Sequence, residues 1–239
     1  MAPIDLRLTL LCAAAALASC ATGPPRLSPA AFGDARAEPG RVVAAELAFA
    51  RLALEKGQWT AFAETSTVDA VMFVPQAVNA HDWLKGRANP PATVTWQPAQ
   101  VWVSCDGSLA VTKGPWQRLS GVGYFTTVWQ RQRDGGYKWV MDQGDSLPQP
   151  LALPEMISGK VAECPARPGA PRRALRELPR ATITPPACAG TQCTGGGASA
   201  DGTLSYAYTV APSGARAFSV QLRQDDAMHE VLRSEVAAP

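Results

Sequence analysis

Five short runs rich in β-branched and aromatic residues lie between residues 93 and 143, and they constrain the fold more than any other part of the chain. The runs read TVTWQ, AQVWVS, LAVTKGPWQ, GYFTTVWQRQR and YKWVMDQ. Proline, glycine and aspartate residues separate them, and the last separator, Asp134–Gly136, is typical of a tight hairpin turn. This pattern predicts a long antiparallel meander of strands.

Helical segments precede the meander. Arg41–Lys56 is rich in alanine, leucine, glutamate and arginine, and Gly57 is placed to end a helix there. Two shorter helices are predicted at Gln58–Glu64 and Ala80–Lys85, with a buried strand at Ala70–Val74 between them. The stripe predicted to face the sheet from the first helix consists of Val43, Leu47, Ala50 and Leu54. Helices first and strands afterwards indicate an α+β domain.

Similarity to a known family rests on two stretches of this domain. The first contains WTAFAE and DAVMFVP, and the second contains DGSLAVTKGPWQ followed by GYFTTVWQRQRDGGYKWVMDQGD. Together they resemble the nuclear transport factor 2-like superfamily, and within it the SnoaL-like and ketosteroid-isomerase-like bacterial proteins, over residues 41–150. The resemblance implies N-terminal helices packed on a strongly curved antiparallel sheet, a cone-shaped α+β barrel with a pocket at its open end.

The isomerase mechanism of that superfamily does not carry over to this chain. In the ketosteroid isomerases, a catalytic aspartate stands just before the proline that ends the first strand. Val74 occupies that place here, before Pro75. Because a valine side chain cannot accept a proton, the isomerase reaction is not expected of this chain.

Other polar residues of the domain could act as a general acid or base inside an apolar pocket. The catalytic candidates are Asp142 at the end of the last strand, Tyr124 on a strand expected to line the cone, and His81 on the short helix. Each also has an ordinary structural role, at a strand end, in the core and on a helix surface respectively. The candidates for lining the pocket, which could equally fill the core, are Trp59, Phe62, Met72, Trp83, Trp116 and Trp129.

The amino terminus resembles an export signal. Leu8–Ala18 is an apolar run that suits a signal peptide but is shorter than the roughly 20 residues of a bilayer span. The sequence up to Cys20, Leu-Ala-Ser-Cys, then resembles the lipobox of bacterial lipoproteins, and an ordinary cleaved signal with an incidental cysteine is the alternative. We therefore predict a signal peptide at residues 1–19, a lipid anchor that includes palmitate on Cys20, and a flexible spacer at residues 20–40.

Export permits disulfides among the remaining cysteines. The predicted location is the periplasmic side of the cell envelope, at the outer membrane rather than the inner, because Ala21 is not the aspartate of an inner-membrane retention signal. The disulfide candidates are Cys164, Cys188 and Cys193, in a pairing that the sequence does not decide, whereas Cys105 is expected to be free at a strand end. No histidine lies near these cysteines, so neither a metal site nor a cofactor is predicted.

The chain beyond residue 150 is predicted to contain less structure. Residues 151–201 are rich in proline, arginine and glycine, and we expect a linker there, mobile over its glycine-rich end. Residues 202–239 contain three runs that alternate apolar and polar residues, which predicts a small antiparallel meander. No internal repeat is evident in the chain.

One hypothesis about function leads, and alternatives from other classes remain open. The formal net charge of +2 and the absence of a basic stripe do not indicate nucleic-acid binding. The leading hypothesis is an envelope-anchored lipoprotein whose cone domain binds a small, largely apolar molecule. The alternatives are an isomerase, cyclase or dehydratase acting in the same pocket, and a non-catalytic envelope interaction module. A homodimer formed through the sheet fits any of them, and the sequence does not decide whether the chain is an enzyme.

Overall fold

The computed structural model describes residues 37–92, 94–165, 180–189 and 192–239. The predicted signal peptide, Cys20 and nearly all of the predicted spacer lie outside the described residues. Among the residues that are described, no helix is long and apolar enough to cross a membrane.

The first half of the described chain contains helices, as the sequence predicts. They are α1 (Pro39–Lys56), α2 (Gln58–Thr65) and α3 (Ala80–Leu84). Gly57 separates the first two with a φ of 97°, a left-handed conformation that glycine adopts without strain. Asn79 begins the third, because its side-chain oxygen accepts a hydrogen bond from the backbone N–H of Asp82 at 3.0 Å.

The apolar stripe predicted on α1 is wrong by one position. The side chains that α1 buries are Val42, Glu46, Phe49 and Ala53. Leu47 and Leu54, which were expected to face the sheet, are 45% and 61% exposed. The prediction failed because the buried stripe contains a glutamate, and a search for apolar residues at helical spacing passes over it.

Eight strands form a first sheet. They are β1 (Ser66–Phe73), β2 (Ala77–Asn79), β3 (Thr95–Trp96), β4 (Gln100–Val103), β5 (Leu109–Arg118), β6 (Gly121–Arg131), β7 (Tyr137–Leu147) and β8 (Ser158–Val161). Their order is β2-β1-β7-β6-β5-β4-β8, and β3 pairs with β5. β1 pairs with β7 and β4 pairs with β8 in parallel, whereas the remaining pairs are antiparallel.

Two properties of the first sheet differ from the prediction. The sheet is mixed rather than antiparallel, because β7 returns beside β1 and β8 beside β4 through long connections. Neither this sheet nor the second is strongly curled, so the cone that the resemblance implied is not found. A second sheet covers one face of the first, and sheets that pack face to face about 10 Å apart oppose a strong curl of either.

The carboxyl-terminal part of the chain forms a second sheet of five antiparallel strands. They are β9 (Thr182–Ala189), β10 (Gln192–Ala198), β11 (Leu204–Val210), β12 (Arg216–Gln224) and β13 (Ala227–Val236), in the order β13-β12-β11-β10-β9. The predicted meander is confirmed as β11, β12 and β13. β8, β9 and β10 lie within residues 151–201, so the linker prediction is wrong for those strands; residues 166–179 lie outside the described part.

β10 contains three consecutive glycines, Gly195–Gly197, which are typical of a linker and caused the wrong prediction. In its pairing with β11, Gly195 lies opposite Tyr208 and Gly197 lies opposite Tyr206. Each tyrosine ring lies across its glycine, so a Cβ atom at either position would overlap the ring. The strand forms because the aromatic residues of its neighbour supply the packing surface that glycine lacks.

The helices and the two sheets form three layers. The helices pack against one face of the first sheet, and the second sheet packs against the other. Alternate residues of a strand point to opposite faces, so Val101 and Val103 of β4 face the helices and Trp102 faces the second sheet. Buried side chains between the two sheets include Val111, Val128, Val140, Leu204, Tyr206, Phe218, Val220 and Leu222.

Two turns of nearly the same sequence connect strands in the two sheets. Ser104–Leu109 (SCDGSL) joins β4 to β5, and Ser199–Leu204 (SADGTL) joins β10 to β11. In each turn, the aspartate Oδ1 accepts a hydrogen bond from the hydroxyl of the first serine at 2.7 Å. That serine oxygen accepts a hydrogen bond from the N–H of the final leucine, at 3.2 and 3.0 Å. The chain therefore does contain a repeat, too short to be evident from the sequence, and we call the two segments the paired turns.

The paired turns bind each other through matching hydrogen bonds. The backbone N–H of Cys105 donates to Thr203 Oγ1 at 2.9 Å, and that of Ala200 donates to Ser108 Oγ at 2.9 Å. Residues 105 and 200 occupy the same position in the two turns, as do residues 108 and 203. The contact is therefore approximately twofold symmetric, and it joins the two sheets at one end of their interface.

Two disulfides connect the cysteines of the described residues, Cys105 to Cys164 and Cys188 to Cys193. The prediction of a free Cys105 is wrong, because the parallel pairing of β8 with β4 brings Cys164 beside it. The second disulfide closes the hairpin between β9 and β10, where the two cysteines lie directly opposite each other. Disulfides are typical of an oxidising, extracytoplasmic compartment.

Candidate functional site

A cleft of about 210 Å³ lies between α1, α2 and the first sheet. Five of the residues that line it are aromatic: Phe49, Phe62, Trp96, Trp116 and Phe125. The polar residues that border it are Gln58, Arg118, Asp142 and Gln143, of which Gln143 has its amide bound to Ser234 and Arg216 of the second sheet. A concave surface that is largely apolar, with several aromatic side chains and a few polar groups, is typical of a small-molecule site.

Edge-to-face contacts hold the aromatic wall. The centroid of the Phe49 ring lies 4.8 Å from that of Trp96 and 4.9 Å from that of Phe62. Trp116 of β5 is the cross-strand partner of Trp96 of β3. The Trp116 ring lies across Gly123 of β6, where any Cβ atom would overlap it. Because Gly123 has no side chain, the Trp116 ring can lie against β6 and form part of the cleft wall.

Asp142 of β7 is the acidic group of the cleft. Its Oδ2 accepts a hydrogen bond from the Thr127 hydroxyl at 2.8 Å, and within the described residues Oδ1 has no hydrogen-bond partner. Burial raises the pKa of Asp142 to about 8; the hydrogen bond from Thr127 opposes the rise, and the charge of Glu46 adds to it. At neutral pH the side chain is therefore mostly protonated, and a ligand in the cleft can reach it.

Glu46 of α1 lies behind the wall and is fully buried. Its carboxylate accepts hydrogen bonds from Trp96 Nε1 at 2.7 Å, from Thr112 Oγ1 at 2.6 Å and from Trp129 Nε1 at 3.1 Å. Burial raises the pKa of Glu46 to about 6, and these hydrogen bonds limit the rise because they stabilise the ionised form. At neutral pH Glu46 is therefore mostly ionised, with three donors around it.

Thr127 of β6 connects the two carboxyl groups. Its hydroxyl donates to Asp142 and also lies close enough to Glu46 to stabilise the ionised form of that side chain. Like charges disfavour the ionisation of a neighbouring acid, so the charge of Glu46 adds to burial, the larger cause, in holding the proton on Asp142. At neutral pH the pair therefore consists of one anion behind the wall and one neutral acid in the cleft.

The cleft brings together three of the residues that the sequence singled out. Asp142, Phe62 and Trp116 border it. Trp129 lies behind the wall, 1% exposed, and its indole N–H binds Glu46. Met72 is buried in the core between the helices and the first sheet and is not one of the lining residues.

His81, Trp59 and Trp83 lie outside the cleft. His81 Nε2 is 2.9 Å from Ser66 Oγ, and His81 borders a separate depression together with Trp59. The Trp83 ring packs edge-on against Trp59 at 5.3 Å and lies 3.8 Å from the Arg87 guanidinium. These side chains therefore form a cluster around α3 that adjoins the aromatic wall, because the Trp59 ring lies edge-on to Phe62 at 5.7 Å.

Tyr124 lies on the opposite face of the first sheet from the cleft. Its neighbour along β6, Phe125, borders the cleft, and side chains alternate between the faces of a strand. Burial raises the pKa of Tyr124, and Ser234 and Arg216 of the second sheet are among its neighbours. The prediction that Tyr124 lines the same pocket as Asp142 is therefore wrong.

Sequence reasoning missed Glu46 and Thr127. A signal for Glu46 does exist, because it lies four residues after Val42 and three before Phe49, at helical spacing within the buried stripe. An acidic side chain at such a position is either exposed to solvent or hydrogen-bonded to residues of other helices or strands. The partners come from β3, β5 and β6, which no local pattern could reveal.

The chemistry that the cleft offers is that of a neutral carboxylic acid, one amide and one guanidinium. Within the ranges that the structure describes, no group of three or more histidine, cysteine, aspartate or glutamate side chains is placed to hold a metal ion. The cleft can therefore orient an apolar molecule through one or two hydrogen bonds, or exchange a proton with it.

Comparison with protein-family models and with curated proteins finds no match for this chain. The function of the cleft is therefore inferred from its own residues and their contacts.

Proposed function

We propose that this chain is an envelope-anchored lipoprotein whose helix-covered cleft binds a small, largely apolar molecule. The observation that carries the proposal is a wall of aromatic rings with a single carboxylic acid, Asp142, set into it. An apolar molecule gains affinity by burying its surface against such rings, and the acid fixes its orientation.

The dimensions of the cleft limit the ligand. Its volume of about 210 Å³ is below the roughly 300–1,000 Å³ of sites for drug-sized ligands. The contacts that Phe49 makes with Phe62 and Trp96 leave the wall little freedom to widen. A molecule of one ring, or of two fused rings, with one polar group fits these limits.

The fold supports the position of the proposed binding site, and the disulfides support the proposed compartment. Helices cover one face of a sheet whose strand β7 lies beside β1, and the cleft lies between the helices and the sheet. The resemblance to nuclear transport factor 2-like proteins implies a pocket in such a domain, although at the open end of a cone that this sheet does not form. The two disulfides favour an extracytoplasmic compartment. Acyl chains on Cys20 would hold the protein at the membrane surface.

Mass spectrometry of molecules that co-purify with the full chain from its native envelope tests the binding function. We expect a small apolar molecule in the wild-type protein and its loss in Val94→Trp, because Val94 borders the cleft and an indole there would fill it. Val68→Trp is the matched control, since Val68 is 71% exposed on β1 outside the cleft. A molecule retained by Val94→Trp, or an empty wild-type protein, would contradict the proposal.

Metabolic labelling with a fatty-acid analogue tests the anchor. We expect label on the wild-type chain and none on Cys20→Ser, because the thiol is the attachment point. Cys12→Ser is the control, since Cys12 lies inside the predicted signal peptide and should not affect labelling. Label that persists on Cys20→Ser would show that the lipobox was misread.

An enzyme acting in the same cleft is the second candidate, and one observation favours it. A carboxyl group with a pKa of about 8 takes up and releases protons near neutral pH, as general acid–base catalysis requires. With the ligand identified, Asp142→Asn should then abolish its turnover without unfolding the domain. Unchanged turnover would remove Asp142 from the reaction.

A further inference from the structure

The carboxylate of Glu46 accepts more hydrogen bonds than are needed to join α1 to the first sheet. Its Oε1 accepts a hydrogen bond from Trp96, and its Oε2 accepts hydrogen bonds from Thr112 and Trp129. Trp129 Nε1 also lies 3.0 Å from Thr112 Oγ1, so the donors contact one another. Apolar residues usually join elements at lower cost than a buried charge, so a glutamate in this place points to a role beyond packing.

One of the donors to Glu46 is part of the cleft wall. Trp96 borders the cleft, while its indole N–H binds Glu46 behind the wall. Its strand, β3, consists of only two residues, so regular strand pairing gives the ring little support. The hydrogen bond to Glu46 therefore sets the position of a ring that the ligand would contact.

Glu46 also acts on Asp142, which several elements surround. Thr127 of β6 donates to it, Glu46 of α1 opposes its ionisation, and Arg216 of β12 favours its ionisation. Arg118 of β5 borders the same cleft. A protonated carboxyl group has an O–H to donate, whereas an ionised one can only accept hydrogen bonds. Burial is the largest cause that keeps Asp142 protonated, and the charge of Glu46 adds to it, so Glu46 strengthens the donor character of Asp142.

We propose that Glu46 is a positioning residue for the cleft, which holds the Trp96 ring in place and helps to keep the buried Asp142 a hydrogen-bond donor, so that the polar group of the ligand is an acceptor such as a carbonyl oxygen. This inference rests on the proposed binding function and names the ligand chemistry of that same cleft. Glu46 does not contact the ligand; it acts through Trp96 and through the Thr127–Asp142 pair.

Carbon-13 NMR titration of the carboxyl groups in the ligand-free full chain measures the pKa of Asp142 directly. In Glu46→Gln we expect it to fall by about one pH unit or more, because a like charge is removed. In Thr127→Val we expect it to rise, because a hydrogen bond to the ionised form is lost. Glu55→Gln is the matched control, since Glu55 lies on the exposed side of α1.

Two probes of the same size test which polar group the cleft binds. Acetophenone carries a carbonyl oxygen, and isopropylbenzene has a methyl group in its place. In the wild-type protein we expect the affinity for acetophenone to fall about ten-fold between pH 6 and pH 9, as Asp142 loses its proton, while that for isopropylbenzene stays constant. In Glu46→Gln the fall should move to lower pH together with the pKa of Asp142.

The outcomes distinguish the two proposals. A pKa of Asp142 that is the same in Glu46→Gln and in the wild type would overturn the positioning role, even with both probes bound. An acetophenone affinity that does not depend on pH would overturn the acceptor assignment. Failure of both probes to bind, with the pKa of Asp142 still lowered in Glu46→Gln, would overturn the proposed binding function and leave the effect of Glu46 on Asp142 established.

Discussion

The two faces of the first sheet are built from the same strands, yet they bury different chemistry. Toward the helices, the strands present Thr112, Thr127 and Asp142 around Glu46, beside an open cleft. Toward the second sheet, alternate residues of the same strands pack into a closed apolar core. The period of two in a strand therefore separates a side that can bind a ligand from a side that holds the fold together.

The polar groups of the two sides are satisfied in different ways. Between the two sheets, aspartate, serine and threonine side chains of the paired turns bind backbone N–H groups, and Gln143 binds Ser234 and Arg216. On the helix side one carboxyl group has a raised pKa and borders an unfilled volume. Unfilled volume reduces stability. We therefore expect the interface between the two sheets to contribute more to the free energy of unfolding than the interface between the helices and the first sheet.

The largest expected effect comes from removing an aromatic ring from each side. Phe218→Ala, 2% exposed between the sheets, should lower the free energy of unfolding by about 3–5 kcal/mol. Phe62→Ala, at the cleft, should cost only about 1–3 kcal/mol, because water can enter the enlarged cleft. Urea denaturation of both variants checks this, and equal losses would contradict the difference between the sides.

A smaller effect is expected from breaking the paired turns. Asp201 accepts hydrogen bonds from Ser199 Oγ, from the N–H and hydroxyl of Thr203, and from the N–H of Asp106. Asp201→Ala should therefore lower the free energy of unfolding by about 2–3 kcal/mol. Asp106→Ala should cost about 1 kcal/mol, because one of its oxygens has no partner in the described residues. Thermal denaturation compares the two, and the reverse ranking would show that the turns are not held as described.

A third expected effect is a pH dependence of the free energy of unfolding, which belongs to the helix-covered face of the first sheet. The pKa of Asp142 is raised by folding, so the stability it contributes is complete below its unfolded value and is lost as the pH rises toward 8. Replacing it with Asn should therefore make the fall in the free energy of unfolding between pH 5 and pH 7 less steep, by about 1.4 kcal/mol per pH unit.

Denaturation of the wild type and Asp142→Asn at several pH values measures this slope. Asp145→Asn is the control, since Asp145 lies on the same strand outside the cleft lining. A wild-type slope that Asp142→Asn leaves unchanged would mean that Asp142 is not protonated in the folded chain near neutral pH.

Local patterns predicted the elements of this fold better than their arrangement. The helices, the main meander and the three carboxyl-terminal strands follow from periodicity and turn residues. β10 was missed because its packing surface belongs to Tyr206 and Tyr208 on the next strand, and Cys105 was expected to be free because its partner is distant in the chain. Each of these errors concerns a residue whose environment is set by another part of the chain.

The residues of the candidate site also divide into those that local sequence reveals and those whose environment is set by distant parts of the chain. Phe62 and Trp116 could be selected because aromatic clusters are visible in a sequence. Asp142 was selected as a residue at a strand end, and that position is wrong, because β7 runs from Tyr137 to Leu147 and places Asp142 in mid-strand. Glu46 has a signal in its helical spacing, but its role could not be predicted, since that role depends on donors from three separate strands. The pKa of an acid depends on such partners, so its protonation state cannot be predicted from residue type alone.

The glycines of β10 also determine where this chain can be shortened. A truncation that treats residues 182–198 as dispensable would remove two strands of the second sheet and uncover the rings of Tyr206 and Tyr208. β11 would then become an exposed edge with aromatic side chains and unpaired backbone groups, and such edges promote aggregation. A shortened chain of this kind should lose solubility even though every residue removed looks like part of a tether.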